Sequence, residues 1–310
     1  MKFGIQTGPQ AVDWTDLRAV WDDAERYGLD SAWVFDHLVP LLIGDDQPVL
    51  EGWTLLAALA ERTERLTIGC LVSSNTFRHP AVLAKMAATV DIMSEGRLVL
   101  GLGAGYHEIE HTAYGLAFST QRGRAEMLDE ACQVVKALFQ GGPVSFDGEH
   151  YTLNEAPFAP LPVQEGGPPL MVGGRGEKLT FPIIARHADQ WNLAGGAAAA
   201  DFEQKWGVLK DCCADVGRDP DEIETNMGIL TFVDRSAARA EERARQCAKH
   251  FGLDEELAPA IFIAGDPAGV EDTIRGLEEV GVKHYVMTIV HGINYDDVEL
   301  FANEVASKWR

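Results

Sequence analysis

Short apolar runs alternate along the chain with stretches in which apolar positions recur every three or four residues. KFGIQT predicts a first strand, and DLRAVWDDAERYG predicts the helix after it. Leu17, Val20, Ala24 and Tyr27 fall on one helical stripe there, and Gly28 supplies a stop signal. SAWVF and WTLLAALAERT repeat the pair. LTIGCLV is followed by HPAVLAKMAATVDIM, with Pro80 in the first helical turn, where its missing N–H costs nothing. RLVLGLG leads into GRAEMLDEACQVVKALF. PLMVGG, ADQWNL and IETNMGILTFV predict strands five to seven, with helices between them, the first over 178–187. PAGVEDTIRGLEEVG predicts a late helix, HYVMTIV an eighth strand that runs into His291, and DDVELFANEVASKW a closing helix.

Eight strand–helix units whose strands are apolar on both faces imply a closed parallel sheet wrapped in helices, a (β/α)8 TIM barrel of the α/β class. A doubly wound open sheet has the same element lengths and stands as the competing arrangement. The rhythm breaks twice. Residues 141–168 are rich in Gly and Pro and hold VSFDGEHYTL, a hairpin turning at Asp147-Gly148. Residues 234–264 add a helix before a loop, IAGDP. Strand–helix alternation resumes after each, so both read as insertions, after strands 4 and 7, in one domain spanning residues 1–310.

Composition narrows the partners. With 26 Lys and Arg against 48 Asp and Glu, the net charge is −22, which opposes an electrostatic grip on nucleic acid or an anionic membrane. No run reaches the roughly 20 apolar residues of a membrane span. The five cysteines form no CxxC pair, and an odd number suits free thiols in a reducing cytoplasm.

The stretch GLGAGYHEIEH contains His-Glu-x-x-His at His107, Glu108 and His111, the spacing with which a helix grips zinc. Three glycines, Gly101, Gly103 and Gly105, precede it directly, placing His107 on a strand-to-loop turn at a rim. The longer metalloprotease form fails, because Tyr114 and Ala117 occupy its Gly and His positions. Glu126 or Glu130 would be the third ligand of a zinc site. The expectation is two solvated rim histidines beside a cofactor loop, and no metal.

In a barrel, chemistry gathers after the strand C-termini. There stand Asp36 and His37 in FDHL, Ser73, Ser74 and Asn75 in LVSSNTFRHP, the glycine run before Tyr106 and His107, and GGRGEK after strand five. GGRGEK offers consecutive backbone amides leading into a helix, a phosphate-binding arrangement.

The segments FDHL, ERTERLTIGCLVSSNTFRHPAVLAKMAATVDIMSEGRLVLGLGAGYHE, LMVGGRGEK and ARHADQWNL, in this order and spacing, resemble the luciferase-like monooxygenase superfamily, and within it the coenzyme F420-dependent oxidoreductases. The resemblance runs over essentially the whole chain. It implies a barrel, usually dimeric, with a deazaflavin or flavin across its C-terminal mouth. It further implies a non-proline cis peptide at Leu71-Val72 behind the ring, and a ring edge approached closely at Gly103 and Gly105. Ser73 and Ser74 become candidate donors to the cofactor, with the Asp36–His37 pair beside the ring. Imidazole titrates near neutral pH, so His37 is the candidate proton carrier, oriented by a neighbouring carboxylate. Tyr106 and His107 are candidate secondary proton donors. Gly173, Gly174, Arg175 and Lys178, helped by Arg186 and Arg78, would hold the phosphodiester and glutamyl tail of F420.

Sugar-phosphate dehydrogenases of the family carry a carboxylate where this chain has Tyr106 and a tryptophan where it has Leu41. With Trp53 and His107 these residues imply an apolar mouth for an enone, imine or similar unsaturated compound. Reduced cofactor would come from an F420-reducing dehydrogenase. Two alternatives stand beside this one: an FMN-dependent two-component monooxygenase, and a non-catalytic cofactor-binding relative.

Overall fold

The computed structural model describes residues 1–41, 47–290, 292 and 294–310. The eight barrel strands are β1 (Lys2–Thr7), β2 (Ser31–Val34), β3 (Thr67–Cys70), β4 (Leu98–Gly103), β5 (Leu170–Gly173), β6 (Gln190–Ala194), β7 (Glu224–Val233) and β8 (His284–Ile289). Each pairs in parallel with its successor, through registers such as Ala32 with Ile68 and Asn226 with Asn192. β8 pairs with β1, Val286 opposite Gly4, and this seam closes the barrel. Closure excludes the doubly wound sheet.

Strands buried on both faces follow from the apolar runs. Inside, Trp33, Leu71, Val99, Met171 and Val286 form a separate packed cluster. Gly69 makes room for it, since a Cβ there would stand 2.5 Å from Trp33 Cζ3. Outside, the helices lay their apolar stripes on the sheet. In Trp14–Arg26, for example, Leu17, Val20, Trp21 and Ala24 are buried. At the N-terminal end, Ser31 Oγ lies 2.8 Å from His284 Nε2, and Glu224 faces both His284 and Lys2.

The first interruption holds the hairpin Gly142–Asp147 and Thr152–Phe158, with Gly148 N–H donating to Tyr151 O across its turn. The second holds helix Ala237–His250, which covers Leu230 and Phe232 on the overlong end of β7. Three expectations need correction. IAGDP is not simply a loop, because Ile263–Gly265 pairs with Thr231 to Val233 of β7. The helix expected over 178–187 forms only at Phe181–His187, where Pro182 suits a first turn and not an interior. HEIEH lies on a short helix, Glu108–Tyr114, with His107 as its N-cap residue. Among the described residues no helix is long and apolar enough to cross a membrane.

Candidate active site

The C-terminal ends of β2 to β5 bring the candidate residues to one end of the barrel; His291 lies outside the described residues. His37, Tyr106 and His107, from two different loops, come together. Ring centroids are 5.6 Å apart for His37 and Tyr106 and 6.1 Å for His37 and His107, all edge-on. Tyr106 is 67% exposed and Ile109, next along the rim, 64%.

The group that organises this cluster is one the sequence reading missed. Glu110 is buried, and its Oε1 accepts hydrogens from Leu38 N at 2.5 Å and Val39 N at 3.2 Å. Its carboxylate also takes His37 Nδ1 at 3.0 and 3.1 Å, while His107 Nδ1 stands 3.3 Å from Oε2. Burial pushes the Glu110 carboxyl upward, but hydrogen bonding and charge from His37, with the two amides, outweigh it and hold it below the usual range. With Nδ1 engaged by a carboxylate, His37 is left with Nε2 as its proton-accepting atom. A glutamate at the third helical position ordinarily reaches back to its own N-cap, so the sequence signal pointed to a helix start.

At the same end of the barrel the turn after β3 packs against the glycines that end β4 and β5 and forms a floor. The Leu71-Val72 peptide bond is cis, at the position the resemblance implies. Val72 packs between two glycines: a Cβ on Gly103 would stand 2.7 Å from its Cγ2, and one on Gly173 2.8 Å. The Leu71 carbonyl accepts from Gln6 Nε2 at 2.9 Å. Gly105 has φ +75°, and a Cβ there would meet Thr76 Oγ1 at 2.5 Å, so the backbone turns here where no side chain fits.

Several expected roles fall differently. Asp36 does not orient His37. Its carboxylate is buried against Arg78 in a two-point ion pair at 2.6 and 2.8 Å and accepts Ser74 N–H at 2.9 Å. Arg78 is thereby committed and does not reach for an anionic tail; Arg186 points outward to Asp129. Trp53 is buried, its indole N–H donating to Ser73 Oγ at 3.0 Å, so neither residue lines the mouth. Ser74 Oγ bonds Thr76 Oγ1. The Gly174 amide is spent on Asn192 O, and Arg175 pairs with Asp201. Lys178 is exposed, with no ion-pair partner among the described residues. Leu41 is half-buried and its N–H donates to Gln10 Oε1.

His111 is not a solvated rim histidine. It is buried, with Nε2 2.6 Å from Thr76 Oγ1 and Nδ1 2.9 Å from the His107 carbonyl oxygen. Both nitrogens are taken, so the pair His107–His111 does not converge as a zinc motif requires. A cleft of about 660 Å³ between Val135, Phe139 and Pro168 lies beside the start of β5, at the opposite end of the barrel from this cluster.

The family model described as luciferase-like monooxygenase matches residues 1–267. The chain is 27% identical to an F420-dependent glucose-6-phosphate dehydrogenase of Nakamurella multipartita, over 97% of this chain and 94% of that one. It is 30% identical to the enzyme of the same name from Nocardia farcinica, over 93% and 91%. Among solved structures it resembles the coenzyme F420 dependent tetrahydromethanopterin reductase from Methanopyrus kandleri, with TM-score 0.85, 22% identity and coverage of 100% and 99%.

Proposed function

The chain belongs to the luciferase-like monooxygenase family, and from that premise we propose that it is a coenzyme F420-dependent oxidoreductase acting on a small unsaturated organic compound. The observation that carries the reading is the presence of a glycine-backed floor and a carboxylate-held imidazole, His37, on the same C-terminal face. The names of the relatives support the cofactor.

The residues fit a deazaflavin. Val72, packed closely between Gly103 and Gly173, would give one face of a planar ring a compact apolar contact. Lys178, Arg175 and the backbone of 173–176 are the groups that would hold its phosphodiester; Lys178 is exposed and has no ion-pair partner among the described residues, and Arg175 needs only to leave a partly exposed pair with Asp201. When bound, the cofactor supplies the hydride-exchanging carbon, C5. The chain does the rest. Glu110 fixes the hydrogen of His37 on Nδ1, so Nε2 accepts or returns the proton that accompanies hydride transfer. His107 and Tyr106 stand within one ring's width as second donors. Asp36, through Ser74 N–H and Arg78, shapes the turn behind the floor.

Tyr106, Ile109 and Leu41 give the mouth an apolar lip, and Arg78, the cation near it, is tied to Asp36. That favours an enone or imine over a sugar phosphate, whatever the relatives oxidise. Reduced cofactor is supplied by an F420-reducing dehydrogenase, and the protein works as a cytoplasmic homodimer. Its five free cysteines accord with a reducing compartment, and light scattering checks the assembly.

Fluorescence titration of cofactor-free protein with F420 and with FMN tests the cofactor. F420 binding without FMN binding is expected; FMN binding alone would point to the two-component monooxygenase. Turnover of a panel of enones and imines, with glucose 6-phosphate beside them, tests the substrate. Oxidation of the sugar phosphate in preference to any reduction overturns that half of the proposal.

A further inference from the structure

We propose that Glu110 Oε2 with the Nδ1 atoms of His37 and His107 forms a binding site for a divalent cation of the zinc class. The bound cation would block proton exchange at His37, and only this second clause rests on the function proposed above. One ring nitrogen from each histidine and one Glu110 oxygen lie within 4.8 Å of one another. A tetrahedral zinc with bonds of about 2.0–2.1 Å has ligand–ligand edges of about 3.3 Å. The two edges that end on Oε2 measure 3.0 Å from His37 and 3.3 Å from His107.

The trio is built as a ligand set, not scattered on a surface. Glu110 is buried, and its second oxygen is already held by two backbone amides, the outer-shell support that fixes a ligating carboxylate. His107 Nδ1 is buried and makes no aligned hydrogen bond, although a carboxylate oxygen is 3.3 Å away. A cation between them would satisfy both. Two imidazoles and one carboxylate suit zinc, nickel or copper and disfavour magnesium or calcium, which prefer oxygen.

This site shares only His107 with the His-Glu-x-x-His pattern. It replaces His111, whose nitrogens are spent, with His37 from another loop. Zinc on His37 Nδ1 would occupy the lone pair there, so the single ring hydrogen that Glu110 now holds on Nδ1 moves to Nε2. An imidazole in that state donates but does not accept, so the proton carrier is disabled.

The test is calorimetric titration of cofactor-free protein with zinc sulfate, joined to visible absorption of the cobalt-loaded protein. One equivalent should bind with micromolar or tighter affinity, and cobalt should give the absorption of a low-coordinate nitrogen–oxygen site. His107→Ala should weaken binding by about tenfold or more, and Glu110→Gln should do likewise, with circular dichroism confirming that both fold. His111→Ala, if it folds, should leave zinc affinity unchanged. Absence of stoichiometric binding, or affinity untouched by His107→Ala, overturns the site. Binding without loss of turnover overturns the blocking role alone. Because zinc binding is read without cofactor, failure of the F420 assignment does not touch it.

Discussion

Replacing Glu110 with glutamine exchanges one carboxylate oxygen for an NH2 group and separates the positioning role from simple packing. The glutamine carbonyl can keep the hydrogens of Leu38 N and Val39 N, which now sit on Oε1. Its NH2 group then faces His37 Nδ1, where the carboxylate stood at 3.0 Å. Two N–H groups cannot share that contact, so the imidazole hydrogen moves to Nε2 and the accepting atom is lost to the mouth. A hydrogen bond to a charged group contributes about 1.5–3 kcal/mol. At about 1.4 kcal/mol per decade, kcat should fall by roughly 10- to 150-fold. The fold should lose about 1–2 kcal/mol, because a charge-assisted bond becomes a neutral one. F420 affinity should change by less than about twofold, since the floor is untouched. Steady-state kinetics with F420 and the best substrate of the panel measure the first effect, and fluorescence titration the last. Nitrogen-15 spectra of labelled histidine read the tautomer directly. A variant with a kcat within about twofold of wild type, its imidazole hydrogen demonstrably on Nε2, would refute the reasoning.

Three further outcomes follow from the same geometry. Gly103→Ala drives a methyl to 2.7 Å from Val72 Cγ2, so Val72 must lift into the floor; cofactor affinity should drop at least about tenfold for a stability cost of about 1–3 kcal/mol, and equal affinities would sink the floor assignment. Asp36→Asn breaks a two-point pair between a buried carboxylate and the half-buried Arg78, and thermal unfolding should report a loss of about 3 kcal/mol; a loss below about 1 kcal/mol would mean the pair is solvated. Glu224 is raised by burial but lowered more by His284 and Lys2, to about 2, so its ionised form stabilises the fold fully above pH 4.5 and progressively less as pH falls towards 2. That shift corresponds to at most about 3 kcal/mol at pH 7, and the stability gap between wild type and Glu224→Gln in urea should narrow from pH 7 to pH 3.

Much of the fold could be read from the chain because each barrel strand is a short apolar run and each helix carries a stripe. Those signals are local, and all eight strands stand where the runs predict. Misreadings sit where a local signal was overruled. Pro182 shortened a helix that periodicity alone extends, and three residues of IAGDP became a strand because β7 runs past the barrel and offers a free edge. Closure itself is a property of the whole sheet: the registers of β6 with β7 and of β8 with β1 decide it, and no single segment contains them.

The site shows the same division more sharply. Which residues reach the mouth follows from strand order, and His37, Tyr106 and His107 come together there from two separate loops. Which side chain partners which does not follow, because it depends on direction. Sequence proximity assigns Asp36 to His37, yet successive residues leave the chain on different sides, and Asp36 turns to Arg78 while the imidazole meets a carboxylate 73 residues further on. The local helix start supplies the reason. Placing His107 at the N-cap puts Glu110 one turn in, where its carboxylate faces the loop after β2 and finds two open amides, those of Leu38 and Val39. A buried carboxylate must be paired or hydrogen-bonded, and these amides fix one oxygen in place. His37 Nδ1 then lies against both oxygens, at 3.0 and 3.1 Å, and His107 faces the second, so the same backbone contact that secures the loop also decides which nitrogen of His37 can carry a proton.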